Sequence, residues 1–512
     1  MDRRAFLSSS LSLAAALGLG ANVTPAQAQA PAPPPQTPVG TPFGFAWLKD
    51  EARRLAAAPR KAPSTPVPAR FADIAHDQYR DIRWKPDLLI WRDEKRGFRL
   101  EPLPAGFVYR TPVEIHLVDE GLALPIPFDR DRFDWGSNVA PPEDGVVLPF
   151  SGLKLRRPRD ADRWQEFAVF QGATYFKAIA RDQVYGLTAR GLAINTAEPD
   201  GEEFPYFSRF YVEKPEENAQ TVRLYALLDS KMVTGAYRFT IRSGDETNID
   251  VELTLFPRED LGHVGLGALN SMFFYGPIGR GRSDEIRPAV HLSDGLAVVT
   301  GLGERLWRPL ANPRTLQISA FGDENPHGFG LAQRARSFAE YQDLERRWDL
   351  CPSAWVEPVG DWGKGSVVLV EIPSDSEIHE NITAYWRPKA KIPAGQEFSA
   401  AYRLRWTGAG LAPNDIGRVA ESREGQGAEG AWRRYAIDFV GPMPPVGAVK
   451  LVATTSAGRI VSPVLRPNPA TGGYRVTFDL DPKNAPMSEL RVQLTDGQKP
   501  ISETWLYRWV AA

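Results

Sequence analysis

Ile249-Asp250-Val251-Glu252-Leu253-Thr254-Leu255 alternates apolar and polar residues without a break. In an extended chain successive side chains point to opposite sides. Ile249, Val251, Leu253 and Leu255 therefore face a core while Asp250, Glu252 and Thr254 face water. Working outward, comparable β-rich runs occur at Phe107 to Val118, Phe167 to Phe170, Val222 to Leu228 and Tyr237 to Arg242, bounded by Gly, Pro, Asp or Asn. Many antiparallel strands joined by long Gly/Pro connections predict a large β-sandwich over residues 42–392. A fresh series follows at Phe398 to Trp406, Arg434 to Phe439, Val449 to Thr454, Tyr474 to Leu480, Leu490 to Leu494 and Ser502 to Val510. Its short strands and turn residues predict a smaller immunoglobulin-like β-sandwich over 393–512, so the expected fold class is all-β.

One short helix is expected near the start, where Phe45, Leu48, Ala52 and Leu55 recur at helical spacing before Ala58-Pro59 breaks the pattern. Residues 31–41 are Pro-rich and read as an extended tether. Residues 1–30 carry Arg3-Arg4-Ala5-Phe6-Leu7, an apolar run from Leu11 to Ala21, and Ala26-Gln27-Ala28 followed by Ala28-Gln29-Ala30. That is an export signal with a cleavage site, and its paired arginines resemble a twin-arginine signal. The apolar run is too short to span a bilayer. The mature protein is thus expected in the periplasm, exported by the twin-arginine pathway and without a stable membrane span.

Lys and Arg number 61 against 63 Asp and Glu, a formal charge of −2. Such a balance gives no reason to expect nucleic acid or an anionic membrane surface as partner. Cys351 is the only cysteine, so no internal disulfide forms, and no histidine stands near it in sequence to activate it as a nucleophile. The six histidines are scattered without H-x-H or H-E-x-x-H spacing, and neither a metal nor a cofactor is expected. Gly279-Arg280-Gly281 and Gly301-Leu302-Gly303 do not open a helix in a βαβ unit, and there is no G-x-S-x-G elbow. Acid/base work by carboxylates remains.

The densest concentration of candidates runs from Trp348 to Trp386. Trp348, Trp355, Trp362 and Trp386 lie there among Asp349, Glu357, Asp361, Glu371, Asp375, Glu377 and Glu380. Indole faces beside acids suit a sugar polymer, whose rings offer C–H faces for stacking and whose glycosidic oxygen needs a proton donor. The same composition also describes a β-domain whose tryptophans pack its core and whose acids are solvated. Composition leaves both open.

Longer segments carry a resemblance. Val184-Tyr185-Gly186-Leu187-Thr188-Ala189-Arg190-Gly191-Leu192-Ala193-Ile194, Gly201-Glu202-Glu203-Phe204-Pro205, Trp307-Arg308-Pro309-Leu310, Glu324-Asn325-Pro326, Pro352-Ser353-Ala354-Trp355-Val356, Trp362-Gly363-Lys364-Gly365-Ser366 and Val370-Glu371-Ile372-Pro373 resemble the periplasmic glucan biosynthesis proteins G and D, the OpgG/OpgD family. The likeness covers nearly the whole mature chain, and the twin-arginine signal is similar to the D branch. It implies a galactose-mutarotase-like β-sandwich followed by an immunoglobulin-like domain. It also implies action on β-1,2-linked glucan by inverting hydrolysis or by transglycosylation, the water being reached through a substrate hydroxyl. β-Glucan is the implied partner, and contact with the glucan synthase machinery is an expectation of the same kind.

By this resemblance the general acid is an Asp just before an Asn-Ile-x-Ala-Tyr/Phe-Trp run. Here that position is Glu380, ahead of Asn381-Ile382-Thr383-Ala384-Tyr385-Trp386. The family's base follows a His in H-D-S-N-G-L, whereas this chain has His291-Leu292-Ser293-Asp294-Gly295-Leu296. Leu292 takes no proton, which leaves Asp294 as candidate base and His291 as a further candidate. Trp348, Trp355, Trp362, Trp386, Arg308 and His291 are the residues expected to line the sugar groove. A second departure replaces Tyr-Asp-x-Arg-Pro-Ser by Trp348-Asp349-Leu350-Cys351-Pro352-Ser353, exchanging hydrogen-bonding groups and hence specificity. Two readings follow: a glucan-processing enzyme, or a glucan-binding and chain-guiding protein without catalysis.

Overall fold

The computed structural model describes residues 40–61, 66–137, 139–160, 163–280, 284–411, 413 and 415–511. The expected export signal and most of the tether lie outside them. Among the described residues no helix is long and apolar enough to cross a membrane. Among the described residues the regular structure is nearly all strand, as the alternation predicts.

Ile249, Val251, Leu253 and Leu255 are all buried in the strand Thr247–Pro257. On its wet face Asp250 pairs with Arg403 at 2.6 Å, and Glu252 accepts from Arg238 at 2.9 Å. This strand lies near the middle of a fifteen-stranded sheet that also holds Thr221–Asp229, Val233–Arg242, Phe398–Thr407, Ser353–Val359 and Gly328–Ala332. A second, ten-stranded sheet runs through Lys364–Glu371, Ile382–Pro388, Val264–Ser271, Thr188–Arg190, Tyr175–Ala178, Trp164–Gln171 and Phe150–Pro158 to Arg99–Pro104. The main apolar core unites Leu153, Leu155, Phe170 and Phe176 of the second sheet with Phe239, Val251, Leu404 and Trp406 of the first. The helix Phe45–Ala56 buries Leu48 and Ala52 against the other side of the first sheet, where Thr234 donates to the Ala52 carbonyl at 2.7 Å.

Two expectations need correcting. Phe398–Thr407, grouped by its position with the C-terminal series, is instead a central strand of the large sheet, between Thr247–Pro257 and Ser353–Val359. Its inward Tyr402, Leu404 and Trp406 are buried in the main core. Phe107 to Val118 is not one strand: only Glu114–Asp119 is extended, because Gly106 and Tyr109 close a tight turn and Phe107 has φ +55°.

The remaining C-terminal strands form a second core. Arg418–Gln426, Arg433–Val440, Gly473–Asp481 and Arg459–Asn468 make a four-stranded sheet, while Lys450–Thr455, Met487–Thr495 and Thr504–Val510 extend the large sheet through parallel pairing of Leu306 with Thr504. Ile437, Phe439, Val476 and Leu480 pack there against Val492, Leu494 and Trp505.

Three tryptophans sit over glycines on neighbouring strands: Trp307 over Gly295, Trp355 over Gly328 and Trp386 over Gly365. A methyl group at Gly328 would stand 2.5 Å from the Trp355 ring, well inside contact distance. Gly328→Ala is therefore expected to cost about 1–3 kcal/mol by overpacking, read as a lower midpoint in urea with unchanged secondary structure.

Candidate active site

The outward face of the ten-stranded sheet is the floor of a cavity of about 1320 Å³. Strand register dictates what stands on it. Glu101 pairs with Lys154, Lys154 with Val169, and Val169 with Lys177, so one transverse row crosses four strands. Side chains two residues along a strand share a face, which adds Arg156, Gln171 and Tyr175 to the same floor. Tyr79, Trp84, Phe107 and Tyr109 form the opposite wall. The wall is tied to the floor where Gln171 donates to the Tyr79 hydroxyl at 2.7 Å and to Ser151 at 2.9 Å.

Glu380 opens into this cavity. Its backbone is fixed by the residue that follows: Asn381 accepts from the Phe273 amide at 2.9 Å and donates to the carbonyls of Phe273 and Ile372, both at 3.0 Å. The preceding loop is held by Asn312, which bonds both the amide and the carbonyl of Ser374, and by Arg287, which donates to Glu377 at 2.7 Å. The Thr188 hydroxyl lies 2.9 and 3.1 Å from the two Glu380 oxygens. Burial raises the Glu380 pKa above the ordinary carboxylate value, against the opposing effects of the Thr188 hydrogen bond and the charges of Lys177 and Arg190. A half-buried carboxyl with a raised pKa is suited to holding the proton that a general acid gives. Lys177, lowered by burial, stands over the Tyr185 ring with its Nζ 4.7 Å from the centroid.

The other expected site residues are not gathered here. Asp294 and His291 line a separate cavity of about 190 Å³. There His291 Nε2 is 3.3 Å from Asp294 and Nδ1 is 3.0 Å from Gln333, and burial lowers the His291 pKa. Asp294 also accepts from the amides of Arg334 and Ala335. These bonds fix Asp294 in the smaller cavity, apart from the one that Glu380 lines. Leu292 packs beside Met272, Tyr275, Tyr341, Trp348 and Cys351 in an apolar cluster.

Trp348, Trp355 and Trp386 are 6%, 3% and 0% exposed, so their faces are taken up by packing rather than offered to a sugar. Trp362 is half-buried, 6.2 Å from Trp386 and edge-on to Tyr402. Arg308 is 2% exposed and ion-paired with Glu371 at 3.0 Å. Cys351 is buried, and burial pushes its thiol up to about 12, which leaves it inert. Lys154, Lys177, Tyr175 and Tyr185 share the cavity with Glu380 and are not among the expected site residues. Their signal is polar residues at alternate positions of strands whose other side is apolar, as in Leu153-Lys154-Leu155-Arg156.

Comparison with known proteins gives the cavity its context. The family described as "Periplasmic glucan biosynthesis protein, MdoG" matches residues 43–509. Glucans biosynthesis protein G of Rhodopseudomonas palustris (strain BisA53) is 47% identical over 466 residues, covering 90% of this chain and 92% of that one. The protein of the same name from Vibrio cholerae serotype O1 (strain M66-2) is 46% identical over 467 residues, 90% of this chain and 85% of its own. That from Shewanella sp. (strain MR-7) is 43% identical over the same shares. With a match spanning both cores and the strand that carries Glu380 into place, this chain belongs to the MdoG family of periplasmic glucan biosynthesis proteins.

Proposed function

We propose that the protein processes β-1,2-glucan-type chains in the periplasm, cleaving or transferring them with Glu380 as general acid. The observation that carries this reading is the Glu380 carboxyl itself. It is half-buried, its pKa is raised by burial, and it faces a cavity of about 1320 Å³ whose walls include Tyr79, Trp84, Tyr109, Tyr175 and Tyr185. Aromatic faces stack on pyranose rings while the acid protonates the glycosidic oxygen. The C1–O bond then breaks, and its electron pair leaves with the departing chain as a hydroxyl.

The test is incubation of the purified protein with linear β-1,2-glucan, with β-1,3- and β-1,4-glucans beside it, followed by reducing-end assay and mass analysis of chain lengths. New reducing ends indicate hydrolysis; altered lengths at constant reducing ends indicate transfer. Binding with an unchanged length distribution would replace this reading by the glucan-guiding one, which the apolar packing of Leu292 favours. The pH dependence has a definite sign. Glu380 acts while protonated and its folded-state pKa is raised, so turnover is expected to persist above the ordinary carboxylate range and to fall as pH rises through that raised pKa.

A further inference from the structure

An acid alone does not complete an inverting displacement, and Asp294 lies in another cavity. We propose that Glu166 is the second catalytic carboxylate, the base that takes a proton from the attacking water or acceptor hydroxyl. This rests on the glucan-processing reading of Glu380.

The geometry begins with an irregularity in the sheet. Leu155 pairs with Ala168, but the next pair is Arg156 with Glu166, so Phe167 is an extra residue in its strand. Phe167 and Ala168 are both buried in the core, and Val169 and Glu166 both line the cavity. Strict alternation back from Val169 would send Glu166 into the apolar core. The bulge turns it outward, and re-aiming one side chain is a recurrent use of such bulges beside active sites.

The surroundings suit a base. Glu166 is paired with the Lys154 ammonium at 3.0 Å and lies 4.0 Å from the Arg156 guanidinium. The Tyr185 hydroxyl is buried beside it, and Glu166 is the charge that acts on that hydroxyl most strongly. Lys177 feels both Glu380 and Glu166 and stands between them on the floor. Thr188, which holds Glu380, is level with Lys177 and Val169 two strands from Trp164–Gln171, so Glu166 on the Arg156 row is offset by about 10 Å across the strands and about 7 Å along them, a gap that the two glutamate side chains narrow from either side. Inverting enzymes place their two carboxyls roughly 6.5–9.5 Å apart to admit a nucleophile. In the step, water or a sugar hydroxyl attacks C1 opposite the leaving chain, its proton passes to Glu166, and Glu380 gives its proton to the leaving oxygen. Both carboxyls return to their starting states by exchange with solvent.

Glu166→Ala and Glu166→Gln test this beside wild type and Glu380→Gln, on whichever β-glucan wild type turns over. Lys154 has a second carboxylate partner in Glu101, 3.9 Å away, which neither variant removes, and matching melting curves verify folding. Each is expected to lose about 10²–10⁴-fold in rate, with glucan affinity kept. Sodium azide, an anion that needs no base, is expected to restore turnover in Glu166→Ala and to yield the α-glucosyl azide. Wild-type rates in Glu166→Ala while Glu380→Gln is inactive would overturn the assignment and leave Glu380 standing. Loss of rate with azide silent would also overturn it, marking Glu166 as a binding or structural residue. Absence of any turnover by wild type would remove the glucan-processing reading, and this assignment with it.

Discussion

Glu380→Gln is expected to slow glucan cleavage or transfer by about 10²–10⁴-fold while leaving the affinity for glucan and the melting temperature near wild type. The amide has the same outline as the protonated acid and still accepts from Thr188 through its carbonyl oxygen. It has no proton to give. The departing sugar hydroxyl is a poor leaving group unless protonated, so the loss falls on kcat rather than on KM. An activated aryl glycoside, whose phenolate leaves unaided, should show little loss if the cavity accepts it. Equal kcat in variant and wild type on natural glucan would take Glu380 out of the mechanism.

Glu380 was picked out through the resemblance carried by Asn381-Ile382-Thr383-Ala384-Tyr385-Trp386, and Asn381 is what anchors its backbone beside the cavity. The alternation of Ile249 to Leu255 was legible in the sequence itself, since a period of two needs no partner to be read. What surrounds Glu380 was not. The floor is built by lateral pairing of Arg99–Pro104, Phe150–Pro158, Trp164–Gln171 and Tyr175–Ala178, and register across strands leaves no mark in one strand's sequence. The bulge at Phe167 is equally silent, although it decides on which side Glu166 emerges. The tryptophans misled in the opposite direction. An indole beside an acid reads as a sugar platform, but Trp355 and Trp386 fill the space left above Gly328 and Gly365, and those glycines were the available sign of a packed ring.

Arg308→Met is expected to cost about 3–5 kcal/mol of stability without touching the cavity. The guanidinium bonds the Pro309 carbonyl and pairs with Glu371 at 3.0 Å, while the Ala311 amide donates to the other Glu371 oxygen at 2.7 Å. Arg305–Pro309 belongs to the large sheet and Lys364–Glu371 to the ten-stranded sheet, so the pair clasps the two layers. Burial already raises the Glu371 pKa, and Arg308 is the largest influence opposing it. With the arginine gone, the folded protein holds a proton on Glu371 to a still higher pH, whereas the unfolded chain releases it near the ordinary value. In the window between those two pKa values the folded state binds more protons, so the variant regains stability as pH falls through it. The deficit measured by denaturant titration should therefore be smaller at pH 5 than at pH 8. Arg308→Met with Glu371→Leu removes both charges and should recover most of the loss, since an apolar pair of similar volume avoids burying an unpartnered carboxylate. A double variant as unstable as the single one at pH 8 would mean that the clasp acts through its packing on Tyr507, 5.3 Å from the guanidinium, and not through charge.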